Sequence, residues 1–220
     1  MERHFDEELR DLKEKLIRMS SIVEEMIEKS ITALKIRDEA LLRQVFEKEK
    51  NVNMMQIEID DMSLKLIALR QPAASDLRFI VSAIKINADL ERIGDLAVNI
   101  AERGQDLLKE PTLKPLIDIP RMAEISQKMV KDSIDSFINR NSTLAREVCR
   151  RDDSVDNLND QIFRELLTYM LQNAKNINRA IGLMLVARCL ERIADHATNI
   201  GEDVYYIVEG KDIRHHIEDK

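Results

Sequence analysis

The stretch LERIGDLAVNIAE at positions 90–102 occurs a second time, as LERIADHATNIGE, at positions 190–202. Nine of the thirteen aligned pairs are identical, at a constant offset of 100 residues. The residues before each copy also align, because Val52 matches Val155 and Ile59 matches Ile162 at an offset of 103. Such a repeat indicates two copies of one structural unit, so we expect two similar halves related by a pseudo-two-fold axis.

Apolar residues outside the repeat recur at steps of three and four, the spacing of a helix that buries one face. The first such run consists of Phe5, Leu9, Leu12, Leu16, Met19, Val23 and Met26. A second run spans residues 41–69, and Pro72 ends it because proline disfavours helical geometry in the residue before it. The sequence therefore predicts an all-α fold with a three-helix bundle in each half, in preference to a single six-helix bundle.

Short polar residues mark the predicted helix starts, because their side chains accept hydrogen bonds from the free N–H groups of a first turn. Asp38 is the predicted N-cap of the second helix, and Ser75 or Asp76 that of the third. Asn141 or Ser142 is expected to cap the fifth helix. These positions separate the apolar runs, so each cap agrees with the helix pattern beside it.

A proline-rich connector separates the two halves. Helix four is expected from about Arg121 to Asn139, and helix six from about Ile177 to Gly210, since glycine commonly ends a helix. Three of the four prolines lie before helix four, at Pro111, Pro115 and Pro120. We therefore expect a first bundle over residues 1–110, a linker over 111–120 and a second bundle over 121–220.

The composition excludes some classes of function. The formal net charge is −7, whereas a nucleic-acid-binding protein needs a basic surface for phosphates. The acidic beginning does not fit a signal peptide, and no stretch approaches the roughly 20 apolar residues that span a bilayer. Cys149 and Cys189 show no disulfide framework, so we expect a reducing, cytoplasmic location. His215 and His216 lie in a polar terminal segment and are expected to be solvated.

The repeated segment carries a stripe of oxygen-bearing side chains. Projected at about 100° per residue, its apolar residues fall on one side, and Glu, Asp and Asn fall on another. The stripe in the first copy contains Glu91, Asp95, Asn99 and Glu102, and that in the second contains Glu191, Asp195, Asn199 and Glu202. Like charges spaced four apart on a helix repel by about 0.2–0.5 kcal/mol per pair, and a bound multivalent cation would relieve that repulsion.

Two interpretations of this stripe remain open. For a single helix, such a row is more commonly a solvated polar face. The same residue types recur in the same order without interleaved lysines, however, which favours a metal site. Carboxylate and amide oxygens are hard donors suited to Mg²⁺, Ca²⁺, Mn²⁺ or oxidised iron.

The sequence offers no catalytic arrangement. It contains no nucleophile elbow, phosphate-binding loop or dinucleotide fingerprint. The Glu-x-x-His pairs of ferritin-like di-iron bundles are also absent, because Gly94 and Ala194 follow Glu91 and Glu191 by three residues. His196 is expected at the edge of the core and not as a ligand. The sequence therefore predicts a protein that is not an enzyme. A metal-storage or metal-dependent hydrolytic protein and a ligand-free helical scaffold are the alternatives.

Several segments together resemble the PhoU family of bacterial and archaeal phosphate-uptake regulators. They are HFDEEL at 4–9, QPAASDLR at 71–78, ERIGD at 91–95 and ERIADHATNI at 191–200. The resemblance covers nearly the whole chain. It implies two three-helix bundles with multinuclear metal sites, iron in some members, on Glu/Asp-x-x-x-Asp motifs. Here those motifs are Glu91 with Asp95 and Glu191 with Asp195, and the other four stripe residues are our extension.

The resemblance also implies a cellular role. Such proteins are cytoplasmic negative regulators of phosphate uptake and of the phosphate-starvation response. They couple the ATP-binding subunit of the phosphate ABC transporter to a phosphate sensor histidine kinase. We therefore expect these two partners, with no nucleic acid and no membrane insertion, and a homodimer is compatible with the exposed faces of long helices. The implied cofactor is a metal ion cluster, with iron suggested by the family and Mg, Mn or Ca also compatible with the donors.

Overall fold

The computed structural model describes residues 2–211 and residue 213, with the backbone alone at residues 2 and 3. This part of the chain forms six α-helices, with a short 3-10 turn at Ala174–Asn176 and no strand. The helices are α1 (Glu2–Ile36), α2 (Glu39–Arg70), α3 (Ala74–Lys109), α4 (Asp118–Asn139), α5 (Ser142–Gln172) and α6 (Ile177–Glu209). The all-α prediction is confirmed. The predicted solvation of His215 and His216 concerns residues outside the described part.

Three predicted helix ends are confirmed. The Asp38 carboxylate accepts a hydrogen bond from the Ala40 N–H at 2.8 Å and so caps α2. The Asn141 side chain accepts one from the Leu144 N–H at 3.1 Å and caps α5. Gly210 ends α6 with φ at 70°, a left-handed conformation that glycine adopts without steric cost.

The predicted cap of α3 is wrong. Ala73 is the N-cap, and Ser75 and Asp76 lie inside the first turn. Since alanine has no capping oxygen, its backbone carbonyl alone accepts the N–H groups of Asp76 and Leu77, each at 2.9 Å. Pro72 precedes this residue and has a φ angle fixed by its ring. The helix begins immediately after this restricted segment.

Helix α4 begins earlier than predicted, at Asp118 and not near Arg121. Pro120 therefore lies in its first turn and not in the connector. A proline is tolerated there because the first four N–H groups of a helix have no intrahelical partner.

Each half is a three-helix bundle, formed by α1–α3 and by α4–α6. The predicted apolar faces point inward. In α1 the side chains of Leu12, Leu16, Met19, Val23 and Met26 are all fully buried. In α5 the buried residues include Val155, Leu158, Ile162 and Leu166.

The two bundles pack on each other along α3 with α6 and α1 with α4. The α3 and α6 helices run antiparallel, since Lys85 pairs with Asp203 at 3.2 Å while Leu107 packs at Gly182. Gln127 in α4 donates to the carbonyl of Glu24 in α1 at 2.9 Å. Residues 24 and 127 differ by the repeat offset of 103, so each touches its own counterpart. This contact supports the pseudo-two-fold relation between the halves.

Side chains from both halves hold the connector between α3 and α4. Arg37 donates to the carbonyls of Leu108 at 2.6 Å and Glu110 at 2.8 Å. Arg179 donates to the carbonyl of Pro111 at 3.0 Å, and the buried Lys114 pairs with Glu165. Both bundles are therefore fixed to the segment that joins them.

Within the described residues, no helix is both long enough and apolar enough to cross a membrane.

Candidate metal centres

The predicted stripes begin at the edge of the core and run outward along α3 and α6. Glu191 is 9% exposed, while its counterpart Glu91 is half-buried. Asp95 is half-buried and Asp195 is exposed. Glu191 is therefore the most buried carboxylate of the two stripes, and its burial has to be compensated by a proton, a cation or hydrogen bonds.

Helix α5 adds two carboxylates that the helical projection of α6 did not include. Asp195 lies close enough to Asp152 and Asp156 for its charge to raise the pKa of both. We call Asp152, Asp156, Glu191 and Asp195 the second acidic cluster. Two of its members come from α5 and two from α6, so the packing of these helices creates it.

The negative charges in the second acidic cluster repel one another. Burial and, after it, the neighbouring charges of Asp156 and Asp195 together raise the pKa of Asp152 to about 7. Burial also raises the pKa of Glu191, with a second contribution from Asp195. Arg188 donates a hydrogen bond to Glu191 Oε1 and so compensates part of this cost. Asp152, Asp156 and Glu191 are therefore less readily ionised than ordinary surface acids.

The corresponding group in the first half is smaller. Burial raises the pKa of Glu91, followed by the charge of Asp95, and Glu49 on α2 adds to the shift. We call Glu49, Glu91 and Asp95 the first acidic cluster. At the repeat offset of 103, Glu49 corresponds to Asp152, whereas Asn53 stands where the second half has Asp156. The first acidic cluster thus has three carboxylates against four.

The outer stripe residues lie beyond these clusters. The side chains of Asn99, Glu102 and Asn199 are exposed, and that of Glu202 is half-buried. The negative charge of Glu202 acts on Cys149, where burial is the main cause that raises the thiol pKa to about 12. None of these four is among the main causes of the pKa shifts at Glu91 or Glu191.

The chemistry of the clusters fits a hard cation, since all seven side chains are carboxylates. Glu191 Oε2 is buried without a hydrogen-bond partner, an arrangement that costs stability unless a cation or proton compensates it. Among residues 2–211 and 213, however, no three Asp, Glu, His or Cys side chains are placed to hold one metal ion. The side chains would have to turn toward one another to share an ion, so the metal assignment stays a prediction.

His196 lies at the contact between the two halves. Its Nδ1 is 2.9 Å from a carboxylate oxygen of Asp89, and both side chains are one-fifth exposed. The imidazole thus faces α3, while the acidic cluster of its own helix lies toward α5. This contact gives His196 a partner other than a metal.

The sequence spacing of the α5 carboxylates resembles that of the α6 stripe. Asp152 and Asp156 are four residues apart, the same spacing as Glu191 and Asp195, and they lie on the helix that precedes α6. A projection of one helix cannot show which neighbour faces its polar stripe. The relation required the packing of α5 on α6.

Comparisons with known proteins agree over both halves. A family model described as the PhoU domain matches the chain twice, over residues 16–104 and 119–204. A protein of Aquifex aeolicus (strain VF5), named phosphate-specific transport system accessory protein PhoU homolog, is 44% identical over 214 residues, which are 97% of each chain.

Two crystal structures share the fold. That of PhoU from Pseudomonas aeruginosa has a TM-score of 0.90 and 38% identity, covering 94% of this chain and 100% of the other. That of the phosphate transport system regulatory protein PhoU from Streptococcus pneumoniae has a TM-score of 0.87 and 28% identity, covering 94% and 98%. The likeness therefore includes both bundles and their arrangement.

Proposed function

We propose that this chain, which belongs to the PhoU family, regulates phosphate transport as an accessory protein and not as an enzyme. The observation that carries this proposal is the match of both halves to one family whose relatives are named for that role. In finer terms, the protein is a negative regulator of phosphate uptake and of the phosphate-starvation response. It acts in the cytoplasm as an adaptor between the ATP-binding subunit of the phosphate ABC transporter and a sensor histidine kinase.

An exposed apolar strip on the outer side of α2 supports the adaptor role. Met54, Ile57 and Leu64 are 60%, 69% and 61% exposed, on the side of the helix opposite its buried residues. At the repeat offset, Asn157 and Asp160 of α5 replace the first two. Exposed apolar side chains grouped on one helix face are typical of surfaces that bind other proteins.

The adaptor role is tested by deletion and by binding. In a bacterium that lacks its own PhoU-family protein, we expect phosphate-starvation genes to be expressed constitutively, and this chain to restore repression. The purified protein should retain both the ATP-binding subunit and the kinase in a pull-down. Unchanged gene expression on deletion, together with no retention of either partner, would contradict the proposal.

A pair of substitutions locates the partner surface. Changing Ile57→Asp and Leu64→Asp together should abolish retention of at least one partner, because charged side chains would have to be buried at the interface. The helical content should not change, since both positions face solvent. The control is Leu171→Asp on α5, a residue that is 88% exposed and lies in the other half. Equal loss from the control would exclude the α2 strip as the specific surface.

We also propose that the acidic clusters bind a metal, with iron the first candidate. Glu91 and Asp95 with Glu49, and Glu191 and Asp195 with Asp152 and Asp156, would hold it. The outer residues Asn99, Glu102, Asn199 and Glu202 would have a supporting part. Bound metal would supply positive charge that offsets the repulsion among the carboxylates.

Elemental analysis and anomalous diffraction on both sides of the iron absorption edge test the metal proposal. We expect metal at both clusters, and loss from the first cluster alone when Glu91→Gln is combined with Asp95→Asn. That double variant should fold, because neither side chain belongs to the apolar core. Metal retained at the first cluster of the double variant would show that these residues are not its ligands.

A further inference from the structure

Arg188 distinguishes the second acidic cluster from the first. Its guanidinium donates to Glu191 Oε1 from the preceding turn of α6. The arginine side chain is 60% exposed, whereas that of its carboxylate partner is 12% exposed. A residue anchored at the surface therefore places its charge on the most buried carboxylate of the cluster.

The first half has no equivalent of this contact. At the repeat offset of 100, the counterpart of Arg188 is Ala88. The cation beside Glu91 is the exposed Arg92, whose Nε lies 3.8 Å from Glu91 Oε2. That distance is longer than a hydrogen bond, so the first cluster has only a loose ion pair.

The arginine also acts on more than one member of the second cluster. It lowers the pKa of Asp156, against the dominant effects of burial and of Asp195. Yet Glu191 Oε2 remains buried without a hydrogen-bond partner. The guanidinium thus supplies positive charge to the cluster but leaves this buried oxygen unpaired, whereas a small multivalent cation could contact it directly.

We propose that Arg188 is a built-in cation that competes with a divalent metal for the second acidic cluster, a restraint that the first cluster lacks. This inference rests on the proposed metal binding. A metal that takes Glu191 as a ligand has to displace the Arg188 hydrogen bond from Oε1 or accept the arginine charge beside it. In both cases the free energy of metal binding becomes less favourable at the second cluster and not at the first.

The test is Mn²⁺ binding to the full chain. It is measured by titration calorimetry and by the loss of the free-ion signal in electron paramagnetic resonance. The first cluster is disabled with Glu91→Gln and Asp95→Asn, so that the second cluster alone reports. On this background Arg188→Ala should tighten Mn²⁺ binding about tenfold, the effect expected from removing one charge-assisted hydrogen bond to a carboxylate. Arg192→Ala is the control, because Arg192 is exposed on the same helix and lies near Glu191 without a hydrogen bond to it.

The reciprocal variant tests the same idea in the first half. Ala88→Arg places an arginine three residues before Glu91, the spacing that Arg188 has to Glu191. With the second cluster disabled by Glu191→Gln and Asp195→Asn, this change should weaken Mn²⁺ binding about tenfold.

The outcomes separate this inference from the metal proposal beneath it. Unchanged or weaker binding in Arg188→Ala would overturn the competition, since an arginine that positions Glu191 for a metal would produce the weaker binding. Equal tightening by Arg192→Ala would show general electrostatics and overturn the specific role of Arg188. Absence of Mn²⁺ binding to the unaltered chain and to every variant would overturn the metal proposal itself.

Discussion

At the scale of single residues, the position of each carboxylate decides its chemistry. Glu191 and Glu91 occupy the same position in the repeat, but the first is buried and held by Arg188, while the second is half-buried. Asp152 is affected most strongly, because burial and two neighbouring carboxylates raise its pKa to about 7. Ionisation of this side chain in the folded protein therefore costs free energy at neutral pH.

Replacing Asp152 with Asn should stabilise the metal-free protein at high pH. The folded-state pKa of about 7 lies above the ordinary 3.8, so the penalty is absent below about pH 4, grows as the pH rises and is complete above pH 7. Because Asp152 is only half-buried, solvent screening limits the gain to about 1–2 kcal/mol at pH 8. Urea unfolding with EDTA at pH 4 and pH 8 measures it, with Asp11→Asn at an exposed position of α1 as control. An equal gain at both pH values would contradict the assigned cause.

The stripe residues could be found from the sequence, because helical spacing places Glu91, Asp95 and their copies on one side of each helix. Their partners on α2 and α5 could not, since spacing does not determine which helices meet. Nor could helical spacing show that the side chains of Asn99 and Asn199 are exposed and lie outside the clusters. A projection gives an angle around one helix, and it does not show where the neighbouring helix ends.

At the scale of helices, the ends were predictable where a side chain forms the cap. Asp38 and Asn141 bond the first turns of α2 and α5 directly, so the residue type reveals the position. The start of α3 depends on the backbone of Ala73, which has no such signature. At α4, Pro120 was predicted to lie in the connector, whereas it lies in the first turn of the helix. A proline fits both places, so its presence does not distinguish them.

Two buried glycines should respond differently to an added methyl group. A Cβ at Gly201 would lie 3.0 Å from the carbonyl oxygen of Ala145, which belongs to the backbone of α5 and cannot move alone. At Gly94 the nearest atom is Cγ1 of Val52, a side-chain methyl at 3.3 Å. Gly201→Ala should therefore cost about 1–3 kcal/mol of unfolding free energy, because α5 and α6 must separate.

Gly94→Ala serves as the matched control. Its cost should be about 1 kcal/mol or less, since the better helix propensity of alanine offsets the tighter contact. Chemical unfolding of both variants measures the difference, and equal losses would contradict the distinction between backbone and side-chain contacts.

At the scale of the whole molecule, the repeat predicted two bundles and their pseudo-two-fold relation, but not how closely they pack. The rings of Phe79 in α3 and Phe137 in α4 stack with centroids 4.5 Å apart, across the boundary between the halves. Buried side chains of all six helices form one continuous apolar cluster. Sequence periodicity identifies a buried face, but it does not show whether that face meets its own bundle or the other one.

One shared core should make the two halves unfold together. All three tyrosines, Tyr169, Tyr205 and Tyr206, lie in the second half, so tyrosine fluorescence reports that half while far-ultraviolet circular dichroism reports the whole chain. Ile59 is fully buried in α2, which packs mainly on α1 and α3, the other helices of the first half. Ile59→Ala should cost about 3 kcal/mol by leaving a cavity.

We expect Ile59→Ala to lower the midpoint of thermal unfolding by roughly 6–12 °C in both signals, since coincident transitions indicate one cooperative unit. The matched control is Ile57→Ala, two residues away on the same helix and largely exposed, for which the midpoint should move by less than about 2 °C. A tyrosine transition that stays at the unaltered temperature while the circular dichroism transition splits would show independent halves. In that case the contacts of α3 with α6 and of α1 with α4 would be too weak to couple the two bundles.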